Sequence, residues 1–141
     1  MEFCLIHDIG ELMGGDISAL YAMMNKRARK FAKAFEEENQ KYLAKFFGDE
    51  AKYIRKITKE ILDAKSDEAL VAKIADYVEC AHYKVYMGYF TKADKKFNQG
   101  KLNGFIRKLK DKTAKKILLE FLADWLKKVD KNNYIQILKN G

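Results

Sequence analysis

The sequence predicts an all-α protein organised as one domain of about five to six helices. Three observations lead there. The chain of 141 residues contains no proline. It is rich in Ala, Leu, Lys and Glu, the residues that cost least in a helix. Its apolar residues recur at three- and four-residue spacing, the period that places them on one side of a helix. A chain of this length fits a single domain over residues 1–141, large enough for a real core.

The elements follow in order. Residues 1–13 read as a helix ended by Gly14-Gly15, with Asp16 or Ser18 capping what comes next. Residues 19–47 read as helical through Leu20, Met23, Met24, Ala28, Phe31, Ala34, Phe35, Tyr42, Leu43, Phe46 and Phe47, and Gly48-Asp49 breaks the run. A helix over 50–64 carries Tyr53, Ile54, Ile57, Ile61 and Leu62 on one stripe. Ser66-Asp67-Glu68 is a cap signal opening a helix over about 67–90. A looser stretch is expected from Lys92 to Gly104, then a long helix over about 104–130 and a short closing one through Tyr134, Ile135 and Leu138.

Charge and composition bound the function. The net charge is +8, but residues 1–25 hold Glu2, Asp8, Glu11 and Asp16 with no Lys or Arg, so that part is −4 and the remainder +12. An acidic pocket in a basic body suits a bound cation meeting an anionic substrate, although lysine-rich solvated faces account for the excess equally simply. No apolar run reaches the roughly 18–20 residues that cross a membrane. Cys4 and Cys80 are too few for a disulfide framework and read as buried small hydrophobes of a cytoplasmic protein.

The chemistry concentrates at His7-Asp8-Ile9-Gly10-Glu11-Leu12, followed by Gly15-Asp16. Adjacent imidazole and carboxylate donors suit zinc, manganese, cobalt or ferrous iron. The pair follows an apolar run, Phe3-Cys4-Leu5-Ile6, where a charge requires a partner. On a helix His7 and Asp8 lie about 100° apart, so they reach one ion only near a helix end or a crossing. Glu11 is one turn on, placed to take a proton from water or to position it, and Asp16 returns towards the same pocket after a glycine turn. Asp76 interrupts the apolar stretch Val71 to Val78, and it shares a helical face with Glu79, Cys80 and Tyr83.

The string Leu5-Ile6-His7-Asp8-Ile9-Gly10-Glu11 with Gly15-Asp16, and then Ile74-Ala75-Asp76, resembles the HD-domain phosphohydrolases. Within them it looks most like the branch of the 5′-deoxynucleotidases, over roughly residues 3–90. The resemblance implies that His7, Asp8 and Asp76 are metal ligands, that Glu11 acts on the attacking water, and that Asp16 is a substrate-side carboxylate. Lys73, one turn from Asp76, would offset charge on the phosphoryl group. The implied cofactor is a divalent ion (Mn, Co, Zn, Fe or Mg), and the implied substrate is a small phosphate ester such as a nucleotide.

The family's metal site opens with a further histidine on an upstream helix, whereas only six residues precede His7 here and none is histidine. His82 points away from the Asp76 face. A shortened product, a histidine donated by a partner chain, three ligands completed by water, and a fragment of a longer protein are all open. The apolar beginning of the chain favours a homo-oligomer. The competing reading is a degenerate, non-catalytic helical module that binds a partner, a nucleotide or nucleic acid. The basic runs Lys26 to Lys30 and Arg107 to Lys116 read as solvated faces, and Tyr83, Tyr86, Tyr89 and Phe90 as core or interface rather than a base-stacking platform.

Overall fold

Helix starts in this protein are set by side-chain caps. Asn25, Ser66, Thr91 and Asp111 each accept the backbone N–H three residues on, at 3.0, 3.2, 3.1 and 2.7 Å respectively. Each bond satisfies a donor that the first helical turn otherwise leaves orphaned. The computed structural model describes residues 2–6, 8–15, 21 and 24–129. The elements are α1 (Glu2–Ile6), a 3-10 turn (Ile9–Met13), α2 (Lys26–Leu43), a second 3-10 stretch (Ala44–Glu50), α3 (Ala51–Asp63), α4 (Asp67–Tyr86), α5 (Lys92–Lys108) and α6 (Lys112–Lys128). Every described element is helical, as the composition predicts.

The boundaries differ from expectation in instructive places. The first helix does not run to residue 13: it stops at Ile6 and resumes as a 3-10 turn from Ile9. The stretch from Lys92 is not loose, because Thr91 and Asp94 form a reciprocal capping box that starts α5 there. The long helix expected over 104–130 is two helices, parted where Leu109 turns extended and Asp111 caps the next start. Helix α4 ends at Tyr86, four residues early, beside Gly88 at φ +74°. The closing helix around Tyr134 and Leu138 lies outside the described residues.

Chain contacts divide the protein into two compact units, residues 1–63 and 64–141. In the first, α2 and α3 bury Leu43, Ala44, Ile54, Ile57 and Ile61 together with two polar side chains, Gln40 and Thr58. Thr58 satisfies its hydroxyl by donating to the Ile54 carbonyl at 2.9 Å, so its burial costs little. Helix α2 turns a small and polar side inward, through Ala28, Ala32, Glu36, Asn39, Gln40 and Leu43, while Phe31 and Phe35 stay exposed.

In the second unit, Leu70, Ile74, Ala81 and Val85 of α4 pack with Leu102, Ile106 and Leu109 and with Leu122, Trp125, Leu126 and Val129. Each Leu, Ile and Val among them, fully buried, contributes about 1.5–3 kcal/mol. Asp67 ties the α5–α6 connection to the start of α4: its carboxylate accepts the N–H groups of Lys110 at 2.9 Å and Asp111 at 2.7 Å. Those bonds hold its carboxyl below the usual carboxylate range, the Lys110 amide contributing most. No described helix is long and apolar enough to cross a membrane.

Candidate functional site

The segment around Asp8 is shaped by glycines. Asp8 stands between the two helical pieces, at φ −97° and ψ 9°, and its carbonyl accepts the Glu11 N–H at 2.9 Å. Gly10 is buried against α2: a Cβ there would sit 3.1 Å from Gln40 Cγ and 3.2 Å from both Glu36 Cγ and the Glu36 carbonyl oxygen. Asn39 Nδ2 donates to the Gly10 carbonyl at 3.0 Å and fixes the turn from the other side. Gly14 and Gly15 then return their N–H groups to the Glu11 carbonyl, with Gly15 at φ +69°. This close approach explains the small and polar inner face of α2, since bulky side chains would lift the turn away.

The turn leaves Asp8 exposed and Glu11 half-buried, three residues apart. That interval eclipses side chains in 3-10 geometry. Asp8 therefore occupies the kind of helix end at which adjacent donors can converge. Helix α1, which leads into it, is anchored to α3 by the Tyr53 hydroxyl donating to Glu2 at 2.6 Å. That bond to a carboxylate raises the Tyr53 pKa. His7 and Asp16 lie outside the described residues.

Asp76 belongs to α4 in the second unit and is half-buried, as is Lys73 one turn before it. Its neighbour Tyr77 packs its ring on Phe105 at 5.5 Å between centroids, which fixes the rotation of α4 there. The core stripe Leu70, Ile74, Ala81, Val85 lies on another side of the helix, leaving Glu79, Cys80, His82 and Tyr83 exposed. Within neither unit do three described His, Cys, Asp or Glu side chains gather as a metal-binding group.

Several expectations need correction. Cys4 and Cys80 are not buried: both are exposed thiols, Cys4 on a helix with no buried residue and Cys80 off the buried side of α4. Of the four aromatics read as core or interface, Tyr83, Tyr86 and Tyr89 are exposed and so not core, whereas Phe90 joins the core and meets Trp125 edge-on at 6.2 Å. Sequence reasoning missed Asn39 and Gln40 as the seat of the Gly10 turn. The signal available was a pair of amides inside a charged helix, too common to single out.

A family model described as the HD domain matches residues 1–119. The chain belongs to the HD domain family. The match takes in the Asp8 turn of the first unit and Asp76 of the second, and it runs beyond residue 90, where the sequence resemblance was placed. No curated protein and no solved structure gives a significant match to this HD domain.

Proposed function

We propose that this HD domain is a metal-dependent phosphohydrolase acting on a nucleotide or another small phosphate ester, with residues 1–141 forming one domain. The observation that carries the reading is Asp8 at a helix break, preceded in sequence by His7 and followed by a helical Asp76, inside one family match. An imidazole and two carboxylates are a donor set suited to Mn, Co, Zn, Fe or Mg, so His7, Asp8 and Asp76 fit such an ion. Asp8 is exposed at the start of its turn, which supports that role.

A divalent ion held there supplies Lewis acidity, making water nucleophilic at neutral pH and drawing charge from the phosphoryl group. Glu11, in the same turn as Asp8, accepts the proton released as water attacks phosphorus. The P–O bond to the alcohol breaks, inorganic phosphate forms, and the alcohol leaves with a proton. Asp16 orients the substrate side, and Lys73 offsets charge on the phosphoryl oxygens. The exposed Leu5, Leu12, Met24, Phe31 and Phe46 of the first unit support a homo-oligomeric assembly.

Metal analysis of the purified chain, followed by phosphate release from nucleoside monophosphates with each of the five ions, tests the reading. Activity that Asp8→Ala and Asp76→Ala each abolish, with the fold retained by circular dichroism, supports it. Neither bound metal nor turnover with any ion would leave the non-catalytic module as the function.

A further inference from the structure

We propose that a basic groove along the N-terminal half of α2 binds the sugar–phosphate backbone of a nucleic acid. Lys26, Arg29, Lys30 and Lys33, with Ala34 and Glu37, line one open cavity of about 470 Å³. Residues 26–33 hold five cations and no acid. Some lysines elsewhere are paired with carboxylates, Lys84 with Asp94 at 3.0 Å, Lys116 with Glu120 at 4.0 Å and Lys128 with Asp124 at 2.7 Å. Among the described residues only Lys33 of the groove has an ion-pair partner, Glu37 at 3.9 Å, and Lys26, Arg29 and Lys30 form none.

Nothing in the fold calls for this arrangement. Like charges three and four residues apart repel, and cations at the start of a helix oppose its dipole. The cluster weakens α2 and concentrates positive potential in a concave place, a combination that a bound polyanion offsets. The row from Lys26 to Lys33 spans about 10.5 Å of helix axis at 1.5 Å per residue. That is about three steps of a nucleic-acid strand at 3.4 Å each, and longer than a single phosphate needs. Among the described residues Ala34 is the one apolar member of the lining, a composition that suits a polyanion better than insertion into a lipid bilayer. Glu37 closes the groove next to Glu36 and Gln40, the residues on which Gly10 is seated. A strand in the groove passes within about one helical turn of the segment that carries Asp8.

Binding does not depend on hydrolysis, so the test is made in EDTA with a labelled oligothymidylate and fluorescence anisotropy. Four phosphate contacts on a single strand give a log–log salt slope of about −2.8, an affinity loss of roughly 50-fold between 50 and 200 mM salt. The variant Lys26→Gln/Arg29→Gln/Lys30→Gln/Lys33→Gln is expected to bind at least about tenfold more weakly with a flatter slope. Glutamine is a good helix former, so its melting temperature stays at or above that of the parent. The control, Lys112→Gln/Lys116→Gln/Lys127→Gln/Lys128→Gln, removes the same charge from exposed positions of α6 and is expected to bind within about twofold of the parent. No binding at low salt, equal losses in both variants, or capture by phosphatidylserine vesicles without oligonucleotide binding would each overturn the proposal.

Discussion

Asp94 should make a pH-dependent contribution to stability that a single substitution isolates. Its Oδ2 accepts the Thr91 backbone N–H at 3.0 Å and the Thr91 hydroxyl at 2.6 Å, and its Oδ1 accepts Lys84 Nζ at 3.0 Å. The Thr91 hydroxyl, then Lys84 and the Thr91 amide, lower its pKa from 3.8 to about 2. Fully expressed, such a shift corresponds to about 2.4 kcal/mol. The carboxylate keeps 24% of its side-chain accessibility, and solvent screening brings the expected figure to about 1–2 kcal/mol. A capping box contributes about 1 kcal/mol, which agrees. A folded pKa below the unfolded one means that the contribution is complete above pH 3.8 and is lost as pH falls through about 2. Urea unfolding of the protein and of Asp94→Asn should therefore differ by about 1–2 kcal/mol at pH 7, with about half of that gap left at pH 3. Using the difference cancels the other carboxylates that titrate over the same range. A gap that stays constant from pH 7 to pH 3 would refute the reasoning, as would an Asn variant of equal stability at pH 7.

Gly10→Ala places a methyl against Glu36 and Gln40 at 3.1–3.2 Å, and the expected cost is about 1–3 kcal/mol. Asn39→Ala, losing the bond to the Gly10 carbonyl, is expected to cost about 1 kcal/mol. Calorimetric titration with Mn²⁺ should show weaker binding in both if the turn presents Asp8 to an ion. Asp67→Ala should accelerate hydrogen exchange at the Lys110 and Asp111 amides, and acid should do the same to the unmodified protein as its lowered pKa is passed. Trp125 is buried with an indole N–H that meets no acceptor among the described residues, so Trp125→Phe removes an unsatisfied donor. It should cost under about 2 kcal/mol, against about 3–5 for Trp125→Ala. Equal costs in a thermal melt would show that the N–H is not a liability.

Much of the fold is legible in the sequence because its signals are local. Ser66 before Asp67-Glu68 announces α4, and Ile54, Ile57 and Ile61 mark the buried side of α3. The failures occur where a distant or reciprocal contact overrides the local pattern. The run from Gly104 through Lys112 has no proline or helix-ending glycine of its own, yet Asp67 takes up the amides that part it into two helices. The stretch after Lys92 looks weak because of Gly100 and Gly104, but the Thr91–Asp94 box and the burial of Asn98, Leu102 and Ile106 hold it helical. Phe31 and Phe35 look like core by hydrophobicity, yet both stay largely exposed, and the Phe35 ring lies against Gly14 at the end of the turn.

The candidate site shows the same division between what composition carries and what geometry adds. The proposed donors are written in His7-Asp8 and Asp76, and so is the requirement that adjacent donors converge only where a helix ends. The means of ending it is not legible from that pair. Gly10 looks like a mild flaw in a helix, worth about 1 kcal/mol against alanine. In the structure it lies inside the 3-10 turn that follows Asp8 and is where that turn locks onto Asn39, Gln40 and Glu36. A tightly seated turn next to an exposed Asp8 is a rigid mount for a ligand-binding carboxylate. The groove of cations begins on the same helix, one turn further towards its N-terminus. The residues that set Asp8 in place and those that gather negative charge thus belong to a single element. Substitutions along α2 should therefore separate two effects: changes at Asn39 alter metal affinity, and changes at Lys26 to Lys33 alter the salt dependence of anion binding.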